Sequence, residues 1–181
     1  SGGQDSTTCL HWAVDTFGKG TRAIGFNYGQ RHAIEMTLAQ QNAKALGVPF
    51  VVKDVRGLLT PSSLTDGQGD HNASNQVTPE LPASFTAGRN LLFLTIAASF
   101  AAKHGIKDIV TGVCQTDFNG FPDCRRTTMD AMQLALSLGL GIGDVRIHTP
   151  LMYLTKAETW KLAADLGCLE TIVRNTMTDY N

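Results

Sequence analysis

The sequence predicts an α/β fold: a doubly wound, mostly parallel sheet with helices on both faces. Three observations predict it. Helical and strand periodicities alternate along most of the chain. The helical stretches are long enough to serve as crossovers between parallel strands. The polar, glycine-rich segments fall after strands, where open parallel sheets bind their ligands.

The elements follow in order. Thr7 to Phe17 reads as a helix stopped by Gly18, and Arg22 to Tyr28 as a strand. Ala33 to Leu46 is a helix ended by Gly47, and Phe50 to Val55 a strand. Asn90 to Lys103 is an apolar helix with Asn90 expected as its N-cap. Asp108 to Cys114 is a strand, Arg125 to Leu138 a helix, Val145 to His148 a short strand, and Lys156 to Leu166 a helix closed by Gly167. Arg56 to Gly88 breaks the rhythm, being rich in Ser, Thr, Gly, Asp, Asn and Pro without a sustained period. A loop that long inside a compact domain is expected to be a lid beside a substrate, or else a surface loop.

Size and composition set the outer limits. The chain has 181 residues and 43% hydrophobic and 17% charged residues, which suits one domain with a buried core rather than disorder. No apolar run is long enough to span a membrane. The formal net charge of -1 does not provide the broad basic footprint of a nucleic-acid binder, so direct nucleic-acid binding is not expected. The four cysteines are far apart and form no Cys-x-x-Cys pair, so they read as reduced thiols in a cytoplasmic protein. Cys9, Cys114 and Cys168 are expected to be buried; Cys124 lies in a more polar neighbourhood. His11, His71, His104 and His148 are too scattered to form a metal site.

The opening segment carries the first chemical signal. Ser1-Gly2-Gly3-Gln4-Asp5-Ser6 runs directly into a helix. Glycines allow successive backbone N–H groups to converge on an anion, and a helix N-terminus adds unpaired donors and partial positive charge. Ser1, Ser6 and Thr7 add hydroxyl donors. The alternative is a plain turn capped by Asp5 or Ser6. No lysine follows the glycines, so this is not a Walker A loop.

The order Ser-Gly-Gly-x-Asp-Ser resembles the PP-loop of the ATP pyrophosphatase superfamily. Phe26-Asn27-Tyr28-Gly29-Gln30-Arg31-His32, Ala87-Gly88-Arg89-Asn90, Thr149-Pro150-Leu151 and Thr155-Lys156-Ala157-Glu158 follow in order. So does Gly112-Val113-Cys114-Gln115-Thr116-Asp117-Phe118-Asn119-Gly120-Phe121-Pro122-Asp123-Cys124-Arg125. Together, over nearly the whole chain, they closely resemble the QueC family of 7-cyano-7-deazaguanine synthases.

The resemblance implies conversion of 7-carboxy-7-deazaguanine and ammonia to the nitrile, with ATP and Mg²⁺. It implies that Ser1, Gly2, Gly3, Gln4, Asp5, Ser6, Thr7 and Thr8, with Asn27, Tyr28 and Gly112, hold the nucleotide. It implies Asp5, Arg89 and Lys156 as the catalytic set. Gln30, His32, Asp117, Pro122, Asp123, Cys124 and Arg125 are implied for the deazaguanine. Residue chemistry leaves alternatives open: Asp117 in an Asx turn, Asp123 as a helix cap, Thr155 and Glu158 as a capping box.

Three departures from the family stand out. Ala87 replaces a proline. No hydrophobic strand precedes the loop, so both ends of the chain read as cut and an open slot is expected beside the Arg22–Tyr28 strand. The family's Zn²⁺ site needs four cysteines, the first at the position of Asp179 here and the others beyond Asn181. The expected assembly is a homodimer. Competing expectations are a PP-loop enzyme acting on tRNA, such as a thiolase, and an ATP-binding module without turnover.

Overall fold

A computed structural model of the chain describes residues 1–29, 33–59, 80–82, 84–116 and 121–176. Its elements are α1 (Gln4–Phe17), β1 (Ala23–Asn27), α2 (Ala33–Ala45), β2 (Phe50–Asp54), α3 (Arg89–Lys103), β3 (Asp108–Val110), α4 (Arg126–Leu140), β4 (Arg146–His148), α5 (Lys156–Asp165) and α6 (Leu169–Asn175). The predicted alternation is present, with α6 as an addition. Cys168 and Ile172 of this last segment are fully buried against Ala163 of α5, so tertiary packing rather than sequence period marks the short helix.

β1 pairs with β2 in parallel, from Ala23 opposite Phe50 to Asn27 opposite Asp54. β3 pairs with β4, also in parallel, from Asp108 opposite Arg146 to Val110 opposite His148. Helices α3 and α4 pack on each other and on β3 and β4; α1, α2, α5 and α6 form a second packed group. The arrangement is an α/β fold with parallel strand pairs flanked by helices. The main core lies between α3, α4, β3 and β4, where Leu94, Ala98, Ile109, Met129, Leu136 and Ile147 meet.

The two strand pairs are not hydrogen-bonded to one another. A cavity of about 1380 Å³ is lined by Ala23, Ile24 and Phe26 on one side and Asp108 to Val110 on the other. Among the described residues β1 is hydrogen-bonded to β2 and to no other strand.

Several boundaries differ from expectation. The first helix begins at Gln4 rather than Thr7, because the backbone is already helical beneath the polar loop. The strand expected over Asp108–Cys114 has a ladder over its first three residues only. The chain stays extended beyond it, with Thr111 N donating to His148 O at 3.0 Å and Gln115 N to Met152 O at 2.9 Å. Gly88, at φ 73°, replaces Asn90 as the N-cap of α3. A left-handed residue can occupy that position only cheaply as glycine, which displaces Asn90 two places into the helix. Most of the expected lid loop lies outside the described residues.

A polar clamp joins the second strand pair to α1. Asp108 Oδ1 lies 2.8 Å from His148 Nε2 and accepts from Arg146 Nε at 2.9 Å. The His148 ring packs at 5.8 Å from Trp12 and 5.4 Å from Phe17. Partial burial pushes the Asp108 carboxyl up, but hydrogen bonds from His148 and Arg146, with their charges, outweigh it and hold it below the usual aspartate range. A carboxyl depressed in the folded state contributes stability above its unfolded pKa and loses it as pH falls through its folded pKa. Stability is therefore expected to drop below about pH 4. In Asp108→Asn this acid-dependent component should shrink, and stability at neutral pH should fall by about 1 kcal/mol. Urea unfolding at pH 7 and pH 3 measures both.

Candidate functional site

The α1 N-terminus opens onto the cavity that runs along β1 and β3. Gly3 is the N-cap and has no side chain to offer, so the first-turn N–H groups receive no side-chain cap. The loop is instead tied by Ser6. Its hydroxyl donates to Ser1 O at 2.7 Å, with Gly3 O at 3.1 Å, and accepts from Ser1 Oγ at 2.9 Å. A Cβ on Gly2 would stand 2.3 Å from Glu35 O, so α2 approaches the loop as closely as backbone allows. A Cβ on Gly112, just past β3, would meet Asp5 O at 3.4 Å and Cys9 Sγ at 3.5 Å. The loop is wedged between these two segments.

Beside the loop, Lys156 Nζ donates to Asp5 Oδ2 at 3.1 Å. The lysine sits at the first position of α5, fixed by a capping box. Glu158 N donates to Thr155 Oγ1 at 3.3 Å and Thr155 N donates to Glu158 Oε2 at 2.7 Å. The capping-box reading and the functional reading of this segment are thus compatible: the box aims the lysine. The other oxygen of Asp5, Oδ1, and the amide nitrogen Nε2 of Gln4 are buried without hydrogen-bond partners among the described residues. Buried polar groups normally find partners, so an orphan acceptor and an orphan donor at one helix start are consistent with a ligand that meets them.

The opposite wall comes from β1 and α3. Phe26 stacks on Phe93 with centroids 4.2 Å apart, and Tyr28 tilts against Phe93 at 5.6 Å. The Arg89 guanidinium lies 5.9 Å from the Tyr28 ring centroid. Burial pushes the Tyr28 phenol up, opposed by the charge of Arg89 and a hydrogen bond to it. Two residues singled out separately in the sequence therefore meet. Phe93 was not singled out; its one signal is an aromatic side chain one turn after Arg89 in an otherwise mostly aliphatic helix. Asn42 was missed as well. It is 2% exposed, and Nδ2 lies 3.4 Å from Thr7 Oγ1 and 3.1 Å from Asn175 O, joining α1, α2 and the end of α6.

The cavity lining gathers Ser1, Gly3, Gln4, Asp5, Ser6 and Thr7 with Arg89, Gly112, Cys124 and Lys156. Other expected residues stand elsewhere. Thr8 is fully buried and its hydroxyl donates to Gln4 O at 3.0 Å, inside the helix. Asn27 Oδ1 accepts from Gly29 N at 3.2 Å, shaping the turn after β1. Asp123 is 5% exposed, and its Oδ2 accepts from Asn90 N at 3.2 Å, so this carboxylate serves the start of α3 rather than its own α4. Asn90 Nδ2 lies 3.3 Å from Cys124 Sγ. Pro122 opens a 3-10 turn whose carbonyl accepts from Thr128 Oγ1 at 2.7 Å. Arg125 is exposed at the start of α4. Gln30, His32 and Asp117 lie outside the described residues, as does Asp179.

The thiols divide. Burial, then the charge of Asp5, pushes the Cys9 thiol far up, and burial also raises Cys168. Both are protonated packing residues at neutral pH. Cys114 is half-buried, with its Sγ 2.9 Å from Thr116 Oγ1. Among the described residues no three His, Cys, Asp or Glu side chains are grouped to hold a metal ion. No helix there is long and apolar enough to cross a membrane.

A parallel α/β scaffold with an uncapped helix start beside a cavity that a lysine and an arginine also line is consistent with a PP-loop-like fold. Residues 1–181 match the family model described as queuosine biosynthesis protein QueC, and the chain belongs to that family. It is an enzyme family of queuosine biosynthesis, which handles small-molecule substrates.

The wedge at Gly2 gives a direct test of the loop's packing. Gly2→Ala is expected to lower stability by about 2 kcal/mol through overpacking against Glu35 O. That corresponds to a Tm decrease of roughly 4–8 °C in a calorimetric scan. Gly20→Ala, where an added Cβ meets nothing within 4 Å, should leave Tm unchanged.

Proposed function

We propose that this chain catalyses ATP-dependent conversion of 7-carboxy-7-deazaguanine and ammonia to 7-cyano-7-deazaguanine, acting as a C–N ligase. The observation that carries the reading, beyond family membership, is the meeting of the loop, Gly112, Arg89, Cys124 and Lys156 around one cavity.

The chemistry explains the demand for ATP. Two oxygens must leave the carboxyl carbon, and oxide is not a viable leaving group. In the first half, a carboxylate oxygen attacks the α-phosphorus of ATP, pyrophosphate departs, and an acyl adenylate remains. Ammonia then forms the C–N bond, AMP leaves with the oxygen, and a proton is released to give the amide. In the second half, the amide oxygen attacks a second ATP and pyrophosphate departs again. Loss of AMP and the remaining N–H protons then gives the nitrile.

The residues divide this work. The free first-turn N–H groups of α1 receive phosphate oxygens. Lys156 and Arg89 counter the charge that develops as pyrophosphate leaves, the step where preorganised electrostatics contribute most. Mg²⁺ would add charge neutralisation beside the phosphates, where the orphan Oδ1 of Asp5 is a fitting acceptor. Tyr28 and Asn27 border the adenine. Cys124, Arg125, Pro122 and Asp123 border the deazaguanine, completed by Gln30, His32 and Asp117. Asp123 contributes through its second oxygen, the first being held by Asn90 N. For Zn²⁺ the described residues offer no fitting group, and no step is assigned to it. The protein is proposed to act in the cytoplasm, on free small molecules rather than on nucleic acid.

The test mixes the protein with the deazaguanine acid, ammonium, Mg²⁺ and ATP. Two pyrophosphates per nitrile are expected, and pyrophosphate release that ignores the acid would overturn the reading. Lys156→Ala should lower kcat by a factor of about 100 while leaving KM for the acid nearly unchanged.

A further inference from the structure

Two exposed residues beyond β3, Gln115 and Thr116, make bonds that the reading of the cavity does not use. Neither is among the residues that line the cavity. Gln115 N donates to Met152 O at 2.9 Å, which holds the strand exit to the turn after β4. Its side chain reaches α4, where Gln115 Oε1 accepts from Arg126 N at 2.9 Å. A backbone N–H can only donate, so it is the amide oxygen that faces the helix. Arg125, the N-cap of α4, supplies no side-chain cap, and Gln115 answers the first helical N–H from 11 residues upstream. Arg126 Nη1 donates to Thr149 Oγ1 at 2.9 Å, so the start of α4 is fixed against the exits of β3 and β4 together. Thr128 Oγ1 donates to Pro122 O at 2.7 Å and ties the same helix to the turn that carries Asp123 and Cys124.

Thr116 bonds to a different segment. Its hydroxyl donates to Leu154 O at 2.6 Å. A hydroxyl has one proton, so the Cys114 thiol, 2.9 Å from the same oxygen, is the donor in that contact. Leu154 directly precedes Thr155, whose capping box fixes the backbone that carries Lys156. One dipeptide is therefore bonded to the start of α4, behind the turn of Asp123 and Cys124, and to the approach of α5, which carries Lys156. We propose that Gln115 and Thr116 are a positioning pair: Gln115 sets the base-side turn for the deazaguanine, and Thr116 sets Lys156 for the departing pyrophosphate. This inference rests on the function proposed above and adds to it two residues that touch no ligand in the cavity. Exposed bonds of this kind contribute little to overall stability. Placement is far more sensitive, because a reacting group displaced by about 1 Å can lose a factor of about 100 in rate.

Four variants test the division of labour. Gln115→Met keeps the length of the side chain and removes its acceptor. It should raise KM for the deazaguanine acid about tenfold while leaving KM for ATP nearly unchanged. Gln115→Glu restores an acceptor and should bring KM for the acid back to within about threefold of the parent value. Thr116→Val should lower kcat by a factor of about 10 with KM for the acid nearly unchanged, and Thr116→Ser should restore it. Tm should stay within about 4 °C of the parent in all four. Calorimetric titration with the acid alone, without ATP, repeats the Gln115 comparison as a Kd. Equal effects of Gln115→Met on the acid and on ATP, an acid KM raised by Thr116→Val, or no rescue by Glu and Ser would overturn the proposal. If the parent binds the acid but forms no nitrile, the proposed reaction falls, and the Kd ratio of Gln115→Met to Gln115→Glu decides the positioning role. A parent that does not bind the acid would overturn both.

Discussion

An uncapped helix start is costly unless something answers its N–H groups, and the site is organised around that constraint at α1. Most helices use a Ser, Thr, Asp or Asn side chain there. Here Gly3 provides none, and the nearby hydroxyl of Ser6 turns back to the loop carbonyls instead. The proposed function assigns these donors to phosphate oxygens. Keeping them aligned without a cap requires rigid support, and the support is steric. Gly2 lies against Glu35 O, and Gly112 lies against Asp5 and Cys9. Cys9 is consequently a filler beneath the loop, its thiol held protonated by burial.

The same constraint explains why charge approaches from separate elements. A positive pole that attracts phosphates must also be stable when they are absent. Lys156 meets Asp5 across the opening, and Arg89 rests over Tyr28 on the far wall. Each cation is held by a local partner of modest strength. Lys156 remains 56% exposed, so its pair with Asp5 is screened and can exchange. A fully buried pair would hold the cation too tightly to be redirected. The capping box at Thr155 and Glu158 fixes the backbone from which this mobile side chain departs.

The sequence made the periodic parts of the fold legible. Amphipathic helices and buried strands obey local rules, and Gly18, Gly47 and Gly167, after α1, α2 and α5, have the positive φ their positions suggested. Ser1, Gly3, Gln4, Asp5, Arg89, Gly112 and Lys156, expected together from the resemblance, line one cavity. The failures have a common cause, which is that partners distant in sequence decided them. Asn90 reads as a cap, yet Gly88 takes that place and Asp123 answers the Asn90 N–H from 33 residues away. Phe93 and Asn42 each look like ordinary helix residues. Only the fold places one ring against Phe26 and one amide between Thr7 and Asn175.

Asp123 joins the two halves of this reading. A carboxylate that is 5% exposed and bonded to the start of α3 is a structural anchor by ordinary standards. That bond also ties the strand-end loop to the helix that carries Arg89, so the anchor fixes how the base-side loop stands relative to the phosphate-side cation. A carboxylate has about four lone-pair sites, and the backbone bond occupies one of them. The remaining oxygen lies 3.8 Å from Cys124 Sγ, a weak contact that a purine N–H donor can displace at small cost. Under the proposed function, the same side chain that caps α3 is the one assigned to a flat heterocycle. Loss of the Asp123 carboxylate would therefore also loosen the start of the helix that carries Arg89.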